Sequence, residues 1–303
     1  MTRDAQLGVM SVADANGQVV ENITMPTKSG ASLWTAPIIG PGLELRVTHE
    51  GNTEFPLIVD AQVVDKKNFD PETLIDQDEL LDIALYNGPD QETVRQVAQS
   101  IGKLTYIKFG VSFDCSGFLV SNDLFMTNDH CVNDKDTCES ASIAFGYEKD
   151  LNKNTIQGEI HRCSEVIKSD YPLDFSVIRL QQPAGQKYGF LKLHTMSSTI
   201  DQSAYIIQHP EGLPKKVSID ACVLGGKIVQ GRRHISDRTH TCDTLKGSSG
   251  SPVLNQDGQV VALHHLGKSS RIQDFFYVNR AVDSGSILHF LKENGISLES
   301  IGD

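Results

Sequence analysis

Three short segments of the chain carry residue types that could perform acyl transfer. Gly247-Ser248-Ser249-Gly250-Ser251-Pro252 is a glycine-rich turn that exposes Ser249 while the N–H groups of Gly247 and Ser249 can point at one spot. A serine hydroxyl becomes a useful nucleophile only with a base within hydrogen-bond reach, a group that orients the base, and backbone donors for the developing oxyanion. His130 lies in Thr127-Asn128-Asp129-His130-Cys131, just beyond the apolar run Leu124-Phe125-Met126, so a strand end would set its imidazole at the lip of a cleft. Asp174 opens the run Phe175-Ser176-Val177-Ile178-Arg179-Leu180. A charge at the edge of a buried run requires a partner. Each segment alone is commonplace: a loop, a surface histidine, a turn aspartate. Their joint occurrence in one β-rich stretch carries the inference.

These residues must be positioned by short strands. Beyond Lys103 the segments 104–107, 116–120, 175–178, 204–207 and 260–263 are apolar and β-rich with turns between them, which predicts a barrel or sandwich. The amphipathic segment 283–294, with Ile287, Leu288, Phe290 and Leu291 on one stripe and Gly295 behind it, predicts a terminal helix. Ahead of this domain, residues 7–64 alternate short β-rich runs with turns such as Asn16-Gly17 and predict a small sandwich or part of one. Asp70 as cap, Pro71, and the stripe Leu74, Ile75, Leu80, Leu81, Ile83 and Leu85 predict a helix over 70–85; Asn87-Gly88-Pro89-Asp90 breaks it and a second helix follows over 91–100. The expected division is a β-rich region over 1–66, a helical linker over 67–100 and the main domain over 101–303.

The 303 residues suffice for two cores, and 39% hydrophobic with 22% charged residues is a globular composition. A net charge of -12 with no basic run argues against nucleic-acid and membrane-surface partners. No apolar stretch approaches the roughly 18 residues of a membrane span, and residues 1–10 lack the apolar run of a signal peptide. Six cysteines, at 115, 131, 138, 163, 222 and 242, form no Cys-x-x-Cys pair. Disulfides are therefore favoured over a metal site, which implies a secreted or periplasmic location; buried thiols in a cytoplasmic protein are the alternative. No metal or cofactor is expected.

Taken together, residues 104–293 resemble the trypsin-like serine proteases, above all the bacterial branch with glutamyl and lysyl endopeptidases. Ser249 in Gly-Ser-Ser-Gly-Ser-Pro matches the family nucleophile, His130 in Asp-His-Cys the base, and Asp174 in Asp-Phe-Ser-Val-Ile the orienting acid. The order His, Asp, Ser is that of the chymotrypsin group; an α/β-hydrolase runs Ser, acid, His and needs a glycine where Ser251 stands. The resemblance implies a mainly β, chymotrypsin-like double six-stranded β-barrel with a C-terminal helix. It implies a serine endopeptidase acting on proteins or peptides through an acyl-enzyme, with Gly247 and Ser249 N–H groups as oxyanion hole. Cys115 and Cys131 resemble the disulfide flanking the family histidine, and Cys138 with Cys163 and Cys222 with Cys242 are expected as two more. Ser248 departs from the zymogens, which carry there an aspartate that pairs with a newly cut N-terminus. Residues 1–100 are left as a propeptide, a folding aid or a docking module that could pack on the protease domain.

Specificity is open on the same grounds. Asp243, six residues before Ser249, matches the position where an aspartate in trypsin binds Arg or Lys side chains. Thr244 and His264 match the polar pair with which glutamyl endopeptidases bind a carboxylate. Arg or Lys is the favoured expectation; Glu takes its place if Asp243 turns outward, and His265 is read as core packing or a supporting donor. A catalytically silent binding module and a small-ester hydrolase are the rival functions.

Overall fold

The computed structural model describes residues 9–14, 17–24, 43–48, 78–196, 200–267 and 279–296, with 35, 74 and 298 as isolated positions. The chain divides into two compact units, Met1–Val64 and Asp65–Asp303.

In the first unit, Val9–Asp14 is the middle strand of a three-stranded antiparallel sheet, flanked by Val19–Thr24 and Leu43–Thr48. Alternation sends Met10 and Val12 to one face, where half-buried Ile23 and Leu45 pack on them. Ser11 faces the other way and donates its hydroxyl to Asn22 Oδ1 at 2.6 Å. Gly17, at φ 79°, supplies the left-handed turn between the first two strands.

The second unit is mostly β. Glu159–Asp170, Phe175–Leu180, Leu124–Thr127, Val111–Leu119, Ile101–Lys108 and Ser142–Phe145 close into a six-stranded antiparallel barrel in that order. Leu104, Leu119, Phe125, Ile143, Phe145 and Ile178 fill it. A ten-stranded sheet that curls as a half-barrel follows, with Tyr205–Gln208, Pro252–Leu254, Val260–Leu266 and Asn279–Asp283 as adjacent strands. A continuous core that includes Phe118, Met126, Phe175, Ile207, Leu254 and Leu263 runs between barrel and sheet. Three disulfides join Cys115 to Cys131, Cys138 to Cys163 and Cys222 to Cys242.

The terminal helix is Ser284–Glu293. Asp283 caps it by accepting the Ser286 N–H at 3.0 Å, and Ile287 and Leu291, one turn apart, enter the core. The helix Gln91–Gln99 buries Val94, Val97 and Ala98, and buried Lys215 donates to the Ala98 carbonyl at 2.6 Å near its C-terminus. There a cation also complements the helix dipole.

The helix expected over 70–85 needs correction. Its first part, apart from Leu74, lies outside the described residues, and its second part is not α-helical. Leu81–Asp82 is a strand paired with Lys216–Ser218, followed by a 3-10 turn at Ile83–Leu85. Leu81 and Ile83 satisfy a two-residue alternation as well as a helical stripe. The open sheet edge decides: Ile83 N–H bonds Lys215 O at 3.2 Å, and Asp82 pairs with Lys216 at 2.8 Å and Lys149 at 3.4 Å. Among the described residues no helix is long and apolar enough to cross a membrane.

Candidate active site

Two of the three residues singled out meet on the barrel. Past Thr127 the chain turns tightly, with Cys131 N–H returning to Asn128 O at 3.2 Å, and the Cys115–Cys131 disulfide ties that turn to the neighbouring strand. Asp174 precedes its strand in a left-handed conformation, φ 49°, which aspartate tolerates better than most side chains. Asn128 Nδ2 locks it by donating to Asp174 O at 2.7 Å. His130 Nδ1 then lies 3.1 and 3.0 Å from the two oxygens of Asp174, and the His130 backbone N–H donates to Oδ1 at 3.1 Å. The carboxylate is fully buried while the His130 side chain keeps 34% of its surface open. Burial alone would raise the Asp174 pKa; hydrogen bonds from His130 and His265 outweigh it and hold the carboxyl well below the usual carboxylate range.

One further partner of Asp174, Arg232, escaped the sequence reading, as did Asp237 behind it, and the role of a second partner, His265, was left open. Arg232 Nη2 lies 2.7 Å from Asp174 Oδ2 and 3.4 Å from His130 Nδ1. His265 Nδ1 lies 3.1 Å from the same Oδ2, and its Nε2 lies 2.9 Å from Asp237 Oδ2. No local motif marks Arg232 or Asp237. His265, left between core packing and a supporting donor, is buried with both ring nitrogens facing carboxylates.

Ser249 enters from the sheet. Ser116, on the barrel, clips its turn in place: Ser116 N–H donates to Ser249 O and Ser116 Oγ to Gly247 O, both at 2.8 Å. Ser116 O in turn accepts the Thr127 hydroxyl at 2.8 Å, so one residue links the turn to the strand that leads to His130. The approach is close enough that a Cβ on Gly250, at φ 86°, would collide with Ser116 O. A Cβ on Gly247, at φ 92°, would fall 2.7 Å from His209 O. Both positions require glycine. Ser248 Oγ accepts the Leu245 N–H at 3.0 Å, so the loop closes on itself at the position where zymogens carry an aspartate. Among the described residues no hydrogen bond is formed by the N–H of Gly247 or of Ser249, and none joins Ser249 Oγ to His130. Nucleophile–base hydrogen bonds are commonly long before substrate is present.

Residues 115–263 match the trypsin-like peptidase domain. The serine endoprotease of Yersinia pestis shares the fold at a TM-score of 0.52 and 16% identity, covering 69% of this chain and 67% of that one. The Rv3671c protease in its inactive form aligns at the same score and identity, over 67% of this chain and 93% of its own. The chain carries a trypsin-like peptidase domain. Among curated proteins it is 27% identical over 213 residues to secreted RxLR effector protein 73 of Plasmopara viticola, covering 66% of this chain and 51% of that protein. It is 21% identical over 229 residues to a glutamyl endopeptidase of Staphylococcus aureus, covering 73% of this chain and 61% of the relative. The chain thus spans only about half the length of the effector.

Within the peptidase domain, the three candidate pocket residues differ in their partners. Asp243 is buried and engaged throughout: its N–H donates to Ser218 Oγ at 2.9 Å, its carbonyl accepts Gln208 Nε2 at 2.7 Å, and its Oδ2 accepts the Glu79 backbone N–H at 2.9 Å. Thr244 Oγ1 is buried with no partner among the described residues. His264 Nδ1 faces His240 Nε2 at 3.0 Å while its own Nε2 is buried and unpartnered among them. Burial, aided by neighbouring imidazoles, pushes His264 well below the ordinary histidine range and His240 down to about 3. Two neutral rings share one N–H across that contact. If His240 supplies it, the His264 proton sits on Nε2 as a free donor.

Proposed function

We propose that the chain is a serine endopeptidase in which Ser249 attacks the scissile carbonyl, His130 takes the hydroxyl proton and passes it to the leaving amine, and Asp174 orients His130. The Gly247 and Ser249 N–H groups hold the oxyanion of the tetrahedral intermediate, and water then hydrolyses the acyl-enzyme. The observation that carries this reading is the His130 Nδ1 contact with buried Asp174 at 3.0 Å on one side of the cleft, with free N–H groups on the serine turn opposite. Replacement of Ser249 by Ala should abolish peptide cleavage while leaving the fold intact.

For the residue before the scissile bond, glutamate is the better supported choice. Asp243 already receives the Glu79 N–H, which supports a structural use of its carboxylate rather than a place for Arg or Lys. The unpartnered Thr244 Oγ1 and His264 Nε2 are suited to donate to a carboxylate, and the Staphylococcus aureus relative is a glutamyl endopeptidase. This reverses the preference drawn from sequence position alone. Cleavage-site profiling on a peptide library tests it: Glu at that subsite supports the reading, Arg or Lys refutes it. Three disulfides support action in an oxidising, extracellular or periplasmic setting. Residues 1–66 remain proposed as a propeptide or accessory region ahead of the linker and the protease domain.

A further inference from the structure

Asp174 has more partners than an orienting carboxylate needs. Besides His130, its Oδ2 faces His265 Nδ1 at 3.1 Å and Arg232 Nη2 at 2.7 Å. The opposite nitrogen of His265 faces Asp237 Oδ2 at 2.9 Å, and that ring is only 1% exposed. A neutral imidazole carries one N–H. It could donate to one carboxylate only, and its other nitrogen would set a lone pair against the second carboxylate where no water can intervene. Both contacts are hydrogen bonds together when the ring carries two protons.

We propose that His265 is held as an imidazolium bridging Asp174 and Asp237, and that with Arg232 it acts as a positioning residue that fixes Asp174 against His130 and neutralises its charge. The proposal rests on the triad reading above. Burial opposes the charge on His265, but the hydrogen bonds it donates to Asp174 and Asp237 more than offset it and raise its pKa above the ordinary value. The result is a set of two anions and two cations behind His130.

Other ionisable groups face this set. Tyr106 donates its hydroxyl to His130 O at 3.4 Å, and Asp129 accepts the Ser169 hydroxyl at 2.6 Å. Arg280 lies towards Asp237, His240 and His264 towards His265, and Arg233 sits beside Arg232 over the Tyr171 ring. A free carboxylate behind a catalytic histidine favours the protonated, inactive ring in mild acid. Two cations on the same oxygen oppose that.

Two measurements on the full chain test this. In Ser249→Ala protein labelled with 15N-histidine, the His265 signals, assigned by their loss in His265→Gln, should report both nitrogens protonated at neutral pH. Adding Asp237→Asn should leave one protonated. This readout needs no catalysis, so it separates failure of the bridge from failure of the protease reading. In the active chain, Arg232→Gln and His265→Gln should each move the acidic limb of kcat/KM to higher pH by about half a unit or more. Arg232 is partly exposed, so its replacement should fold. A singly protonated His265 at neutral pH, or acidic limbs that coincide with that of the unmodified chain in both variants, overturns the proposal.

Discussion

On the barrel side of the cleft, every oxygen of Asp174 is occupied, by His130, His265, Arg232 and the Asn128 side chain. On the sheet side, Thr244 Oγ1, His264 Nε2 and the N–H groups of Gly247 and Ser249 have no partner among the described residues. A saturated cluster cannot bind anything without breaking bonds it already has, whereas buried donors without partners are costly until a ligand arrives. The contrast assigns different work to the two regions. In the proposed reading, the cluster around Asp174, which His265 and Arg232 complete from the sheet side, would fix the base in one geometry, and the donors without partners would face the substrate.

The largest way to break this contrast is Ser249→Ala, which should lower kcat on a peptide substrate by roughly 10⁴-fold or more with the melting temperature little changed. Near-native turnover would remove the assignment. Next, His264→Ala should cut kcat/KM on a Glu substrate by about 100-fold while sparing neutral ester hydrolysis, because it removes a sheet-side donor and leaves the barrel cluster intact. Asp243→Asn should leave the Glu preference in place. The opposite pattern would return the pocket to Asp243 and to basic substrates.

Stability effects sharpen the comparison further. Replacing Cys222 and Cys242 by Ala opens a sheet-side loop with a sequence separation of 20 and should cost about 3 kcal/mol, read by denaturant unfolding. The smallest expected effect concerns Lys215, whose amine burial lowers from 10.5 to about 8. Below about pH 8 both states bind its proton. Between there and its ordinary value the unfolded chain binds more protons, so stability should rise with pH across that window. The difference in melting temperature between the unmodified chain and Lys215→Met should therefore grow in favour of the former from pH 8 to 10. A constant difference would contradict it.

How much of this was legible depended on the distance over which each arrangement is decided. The strand ends at Thr127 and Phe175 and the glycine turn at 247–250 are local patterns, and they mark His130, Asp174 and Ser249 directly. The helix cap at Asp283 is equally local. Residues 81–85 were misjudged because Leu81 and Ile83 fit two periods, and a distant sheet edge at Lys216–Ser218 chose between them. The partner of Asp243 comes from Glu79, far ahead in the chain, so no pattern near Ser249 could reveal it. Arg232 and His265, the latter with Asp237 behind it, meet Asp174 only when barrel and sheet pack, and no spacing rule encodes that meeting.

The most direct test of the central claim is labelling with a fluorophosphonate followed by peptide mapping. Ser249 should be modified in the unmodified chain at near stoichiometric yield, because its hydroxyl is activated by His130 and the phosphonyl oxygen finds the Gly247 and Ser249 N–H groups. The His130→Ala chain should react at least about 100-fold more slowly. Labelling at another residue, or equal rates in the two chains, would contradict the account.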